Sequence, residues 1–119
     1  MASPSSEFGQ KAERAACAWL EASGFRILDR NWRRPWGELD IVAVKDGVYR
    51  FMEVKAAARS RPGMEPFVRA DGRKMLKVAR TARTWLAAQG LRPDVEWQMD
   101  VISVIMGPAG PEFEHFENI

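Results

Sequence analysis

Residues 37–56, GELDIVAVKDGVYRFMEVKA, constrain the fold of this 119-residue chain more than any other segment. Residues 41–44 are continuously apolar, as are Phe51 and Met52, and Asp46-Gly47 between the two runs is a strong hairpin signal. Continuous apolar runs are typical of strands that are covered on both faces. The segment therefore predicts a central β-hairpin enclosed by other layers of the domain.

The remaining segments supply those layers. Apolar residues spaced three and four apart predict an amphipathic helix from Glu7 to Ser23, which Gly24 ends. A second helix is expected from Asp71 to Gln89. Further strands are expected over residues 25–33, 95–106 and 112–118, and a loop over 59–66. We expect an α/β domain over residues 7–119, with a mixed sheet of four or five strands flanked by helices, behind a loose tail of residues 1–6.

Composition excludes several classes of protein. A single cysteine, Cys17, allows no internal disulfide and argues against a cysteine-based zinc site. No apolar run approaches the roughly 20 residues that a membrane span needs. The first residues lack a basic stretch followed by an apolar block, so a cytoplasmic location with no membrane partner is expected. No Ser-His-Asp set can be assembled around His115, the only histidine.

Four charged residues interrupt the apolar hairpin, namely Glu38, Asp40, Glu53 and Lys55. Because strand side chains alternate, Glu38 and Asp40 share a face, as do Glu53 and Lys55. If the strands pair, three carboxylates and an ammonium meet on one patch. Mg²⁺ is held by one or two carboxylates together with waters and phosphate oxygens, so the patch fits metal-assisted phosphodiester hydrolysis. A solvated face with scattered salt bridges is the alternative.

The first helix offers another carboxylate. On a helical wheel Glu13 lies beside Cys17 and Leu20, at the border of the apolar face. A helix packed on the sheet would bring Glu13 to the edge of the same patch. A border carboxylate paired with an arginine is the alternative.

Taken in order, Glu13, GELD, and EVK after a short hairpin resemble the PD-(D/E)XK nuclease signature. The resemblance implies a restriction-endonuclease-like fold and a DNA endonuclease dependent on Mg²⁺ or Mn²⁺. Asp40 and Glu53 would be its metal ligands, and Lys55 would assist the nucleophile. Glu13 is similar to the helical glutamate of archaeal Holliday-junction resolvases, which implies branched or structured DNA as substrate. Glu38 has no fixed counterpart in the nuclease motif, and we assign it a supporting role or a second metal.

The chain is still more similar to the YraN family of uncharacterised bacterial proteins. The resemblance covers roughly residues 7–105. Besides the two motifs it rests on Gly9, Glu13, Ala16, Leu20, Gly24, Asn31-Trp32-Arg33 and Asp100-Val101.

One residue departs from the pattern. The family usually reads Glu-Val-Lys-x-Arg, whereas this chain reads EVKAAAR, with Ala57 at the arginine position and Arg59 two residues later. The departure favours a second hypothesis, a nucleic-acid-binding module that keeps the fold without turnover. A third hypothesis is an adaptor that binds a protein partner through Leu76, Trp32 and Trp36, the two tryptophans being expected in a loop.

The charged residues around the second helix are nearly all positive. Five cations in and just before this helix lie on one arc opposite the buried stripe: Arg69, Arg73, Lys77, Arg80 and Arg83. A face with so few acids suits a phosphate backbone and predicts salt-sensitive DNA binding, while a solvated helix face is the alternative. Two symmetric cuts in branched DNA would favour a homodimer.

Overall fold

One mixed five-stranded sheet forms the centre of the computed structural model, which describes residues 6–58 and 72–119. The elements are α1 (Glu7–Ala22), β1 (Arg26–Arg34), β2 (Gly37–Lys45), β3 (Val48–Ala58), α2 (Gly72–Ala88), β4 (Trp97–Gly107) and β5 (Gly110–Phe116). The strands lie side by side in chain order, β3 and β4 parallel and all other neighbours antiparallel. The predicted α/β fold is confirmed, with an architecture consistent with a restriction-endonuclease-like core.

The two helices cover the sheet through separate apolar clusters. Ala12, Ala16 and Leu20 of α1 pack with Ile41 and Ala43 of β2 and with residues of β3 and β4. The second cluster lies between α2 and the other face of the sheet. It consists of Ala82, Trp85 and Leu86 of α2 with Leu39, Val42 and Phe51 of the sheet. Neighbouring residues of β2 therefore face different clusters, which confirms that its continuous apolar run is covered on both sides.

A two-residue turn sets the register of the central hairpin. Asp46 and Gly47 both have positive φ angles, 52° and 77°, and Lys45 pairs with Val48 across them. Two successive residues with positive φ form a type I′ turn. Asp-Gly favours this turn because glycine and aspartate tolerate that backbone conformation. The pairing continues as far as Ile41 and Met52, so the turn sequence determines which residues follow that last pair.

The ends of α1 follow from local chemistry. The hydroxyl of Ser6 accepts a hydrogen bond from the N–H of Gly9 at 2.9 Å, which caps the helix. Gly24 follows the helix with a φ of 94°, a conformation that favours glycine. Residues 1–5 of the predicted tail lie outside the described residues.

The two tryptophans predicted to lie in one loop occupy different elements. The prediction that Trp32 lies in a loop is wrong, because Trp32 belongs to β1. Its side chain is half-buried and packs against the second apolar cluster, the one that contains Val42. Trp36 does lie in the turn between β1 and β2. The loop predicted at residues 59–66, together with Arg69 and Asp71, lies outside the described residues. In the part of the chain that the structure describes, neither helix is long and apolar enough to cross a membrane.

Candidate active site

The hairpin strands separate at Asp40 and Glu53. Ile41 and Met52 form the last paired positions, and the next two residues on the two strands are Asp40 and Glu53. Instead of a backbone carbonyl, Oδ2 of Asp40 accepts the hydrogen bond of the Val54 N–H at 2.8 Å. The carboxylate thus satisfies a buried backbone donor where the strands part.

A cleft of about 260 Å³ opens at this divergence, between the sheet and α2. Its charged lining consists of Glu38, Asp40, Glu53, Lys74 and Lys77. Gly37, also in the lining, lies so close to α2 that a Cβ there would be 2.4 Å from Oγ1 of Thr81. Glycine is therefore needed where β2 passes the helix, and this close approach positions the α2 lysines over the carboxylates.

Asp40 is a buried carboxylate of the cleft, and its pKa is raised. The residue is 7% exposed, and desolvation raises the pKa of its carboxyl to about 7. The hydrogen bond from Val54 opposes this shift, whereas the charges of Glu13, Glu38 and Glu53 add to it. Three carboxylates therefore act on Asp40, and their combined field favours a bound cation.

Glu53 is held by two ammonium groups. Its Oε1 is buried, has no well-aligned hydrogen-bond donor, and lies 2.5 Å from Nζ of Lys74 and 3.6 Å from Nζ of Lys55. Lys55 does not line the cleft, whereas Lys74 does. The sequence pattern identified Lys55 but missed Lys74, since only the packing of α2 against β2 brings Lys74 to Glu53.

Glu13 lies behind the cleft rather than in its lining. The residue is 1% exposed, its Oε1 accepts a hydrogen bond from Nδ2 of Asn31 at 2.8 Å, and Nε of Arg30 lies 3.7 Å from the same oxygen. Burial raises the pKa of the Glu13 carboxyl, while Asn31 and Arg30 lower it in part. The arginine pairing weighed as an alternative is present, and Glu13 also acts on Asp40 through its charge.

Glu38 forms a cross-strand ion pair. Its Oε2 accepts from Nε of Arg33 at 2.7 Å, at paired positions of β1 and β2. Glu38 therefore lines the cleft with its charge partly compensated by Arg33.

The donor atoms of Asp40 and Glu53 are of the kind that could hold a hard divalent cation. Among the described residues, Asp40 has one hydrogen-bond partner, Val54 on Oδ2, which leaves Oδ1 for another ligand. Oε1 of Glu53 supplies a second oxygen. Two carboxylates are the usual protein contribution to a Mg²⁺ site that is completed by waters and phosphate oxygens.

A second polar cluster lies where β4 and β5 meet the chain end. Among the described residues, Asp100, His115 and Glu117 are the three side chains whose ligand atoms lie within 4.8 Å of one another. Burial alone would raise the pKa of Asp100, but hydrogen bonds from His115 and from the backbone N–H of Asn118 contribute to lowering it. Arg50 ion-pairs with both carboxylates, so the cluster is already compensated. Asp100 is therefore partnered within the fold by His115, Asn118 and Arg50, a role for His115 that the sequence did not predict.

The basic arc of α2 is exposed, as predicted. Its described members are Arg73, Lys77, Arg80 and Arg83, and Arg69 lies outside the described residues. The guanidinium of Arg80 lies 4.9 Å from the ring of Trp36, and that of Arg83 lies 5.6 Å from Trp97. Leu76 is 74% exposed within this arc.

Comparison with known proteins identifies relatives over most of the chain. The model of the uncharacterised protein family UPF0102 matches residues 12–104. A UPF0102 protein of Fervidobacterium nodosum is 34% identical over 111 residues, which is 92% of this chain and 79% of the relative. A UPF0102 protein of Helicobacter pylori strain P12 is 35% identical over 113 residues, 95% of this chain and 90% of the relative. One from Myxococcus xanthus is 38% identical over 99 residues, 83% of this chain and 77% of the relative. The expected membership of an uncharacterised bacterial family is thereby confirmed: the chain belongs to the uncharacterised protein family UPF0102.

Proposed function

We propose that this chain is a divalent-metal-dependent DNA endonuclease of the PD-(D/E)XK type that acts on branched or structured DNA. One observation carries the proposal. Asp40 and Glu53 enter one cleft at the point where their strands separate, with lysine ammonium groups beside them. This places two hard anionic ligands and compensating cations around a space open to a phosphodiester.

The metal ligands would be Oδ1 of Asp40 and Oε1 of Glu53, with Mg²⁺ or Mn²⁺ as the ion. Such an ion supplies a more acidic bound water and neutralises charge on the phosphoryl group. Asp40 is fixed in its orientation by the Val54 N–H, so its ligating oxygen is preorganised. The negative charges of Glu13 and Glu38 add to the field that attracts the cation.

Lys55 has a proposed role in the hydrolysis step itself. The resemblance gives Lys55 the task of orienting the attacking water, and its Nζ lies 3.6 Å from Oε1 of Glu53, a proposed metal ligand, although Lys55 does not itself line the cleft. The reaction joins the water oxygen to phosphorus and breaks one phosphorus–oxygen ester bond. A proton leaves the water and another reaches the departing oxygen, so no redox partner is required.

The exposed cations of α2 supply a DNA-binding surface that is continuous with the cleft. Lys77 belongs to both, since it lines the cleft and is exposed on the basic arc. A phosphate backbone that leaves the cleft over α2 would meet Arg73, Arg80 and Arg83. Contacts of this kind give affinity with little sequence information, as an enzyme that recognises DNA structure requires. A homodimer would place two such sites for paired cuts.

A non-catalytic DNA-binding module is the second candidate. Ala57, half-buried on β3, stands where the similar family usually carries arginine, so a phosphate contact is lost while the basic arc remains. The adaptor hypothesis is supported by two exposed apolar side chains, Leu76 and Trp36. It predicts association that does not depend on salt.

A cleavage assay tests the proposal against both alternatives. Linear, flapped and four-way DNA are incubated with the protein in Mg²⁺, in Mn²⁺, or in a chelator. The endonuclease proposal predicts metal-dependent cutting of the flapped or four-way substrate. Binding of all substrates without cutting would favour the module, and salt-independent retention of a protein partner without DNA binding would favour the adaptor.

A further inference from the structure

Two lysines reach Glu53, and they occupy different positions. Lys55 belongs to the sequence motif and lies 3.6 Å from Oε1, whereas Lys74 comes from α2 and lies 2.5 Å from the same oxygen. Lys74 lines the cleft and Lys55 does not. The ammonium inside the space that a phosphodiester would enter is therefore that of Lys74.

The oxygen that Lys74 contacts is one of the two proposed metal ligands. Oε1 of Glu53 is buried, its side chain is 11% exposed, and it has no well-aligned hydrogen-bond donor. A buried carboxylate needs a compensating charge, and Lys74 provides it. A divalent cation requires the same oxygen, so the lysine and the cation compete for Glu53.

We propose that Lys74 is a displaceable counter-ion of Glu53, which leaves Oε1 when a divalent cation binds there and then contacts the substrate phosphate. The inference rests on the proposed function and assigns a role to a residue outside the nuclease motif. The movement is open to this side chain because it is 47% exposed and its four-carbon stem is flexible.

The geometry of α2 supports this role. Lys74, Lys77 and Val78 line the cleft at spacings of three and four residues, so one face of the helix forms its wall. An ammonium released from Glu53 stays beside Lys77 in the same wall. The backbone phosphate that enters the cleft would thus meet two cations from α2 next to the metal ligands.

Calorimetric titration of Mn²⁺ into wild type and three variants tests the competition. Lys74→Met removes the competing charge, and we expect Mn²⁺ to bind roughly 2- to 5-fold more tightly, the range that a partly exposed ion pair allows. Lys77→Met is the matched control, since it removes a charge from the same wall without removing a partner of Glu53. Lys74→Arg keeps the charge, so its Mn²⁺ affinity should stay near that of wild type.

The second readout is cleavage of the four-way DNA at saturating Mn²⁺. Lys74→Met should cut more slowly although it binds the ion more tightly, because the phosphate has lost its ammonium. Unchanged or weaker Mn²⁺ binding by Lys74→Met, or tightening no greater than that of Lys77→Met, would overturn the proposal. If wild type cuts no DNA, the nuclease function fails, and the titrations still decide the competition. Thermal melts establish which variants fold, and Lys74→Gln replaces Lys74→Met if that variant does not.

Discussion

Oδ2 of Asp40 accepts a hydrogen bond from the N–H of Val54 at 2.8 Å, where Asp40 lies one residue and Val54 two residues beyond the last paired positions of β2 and β3. The bond joins two strands that would otherwise separate with a buried donor unsatisfied. It also holds a carboxylate where burial raises its pKa to about 7. The same residue therefore stabilises the fold through a hydrogen bond and destabilises it through a buried charge.

Asp40→Asn should stabilise the metal-free protein at neutral and higher pH. Asparagine keeps an oxygen for the Val54 N–H and carries no charge. Because burial raises the folded-state pKa of Asp40, wild type loses stability as pH rises from about 4 to about 7. The gain for Asp40→Asn should be near zero below about pH 4 and largest above about pH 7, at most about 4 kcal/mol.

Urea unfolding in chelator across this pH range measures the difference. Asp94→Asn, the same substitution at an exposed residue paired with Arg92, serves as the control and should show no such trend. A constant difference between wild type and Asp40→Asn at every pH would contradict the raised pKa.

Gly37→Ala should destabilise the protein by clashing with α2. The added Cβ would lie 2.4 Å from Oγ1 of Thr81, so the helix or the strand must shift, at a cost of about 1–3 kcal/mol. Thr81→Ala removes that oxygen, so the double variant should lose less stability than the two single variants added together. Strictly additive losses in a denaturant double-mutant cycle would show that the two residues do not meet.

Replacing Lys77 and Arg80 together by alanine should weaken DNA binding. If both side chains contact phosphates, the slope of log affinity against log salt should fall by about 1.8, at roughly 0.9 for each duplex phosphate contact. Lys11→Ala with Arg14→Ala removes two exposed charges from α1 and controls for net charge. Equal slopes for the two double variants, measured by fluorescence anisotropy over a salt series, would argue against the α2 face as the DNA-binding surface.

His115→Ala should reduce stability and leave Mn²⁺ binding unchanged. The imidazole lies 2.7 Å from the buried Asp100 carboxylate and packs against Phe25, so its loss should cost about 1–3 kcal/mol. Thermal melts and Mn²⁺ titration together decide the role of the cluster. A large fall in Mn²⁺ affinity would assign a metal to Asp100 and His115 instead of a structural role.

The sequence predicted the parts of the site that local rules determine. The Asp-Gly turn sets the hairpin register, and that register brings Asp40 level with Glu53. Lys74 could not be predicted, because its contact depends on how close α2 lies to β2, which the Gly37–Thr81 approach sets. The bond between His115 and Asp100 likewise depends on the register of β4 and β5, in which His115 lies opposite Ile102, two residues from Asp100. The expected strand over residues 25–33 already contains Trp32, and β1 extends only one residue further, to Arg34, so the strand prediction rather than the loop prediction holds for Trp32.

The most direct test of the account compares wild type, Asp40→Asn and Asp94→Asn for cleavage of four-way DNA in Mn²⁺, with binding of the same DNA measured in parallel. We expect wild type and Asp94→Asn to cut the DNA, and Asp40→Asn to bind it without cutting. Cutting by Asp40→Asn at the wild-type rate would contradict the assignment of the cleft as the active site.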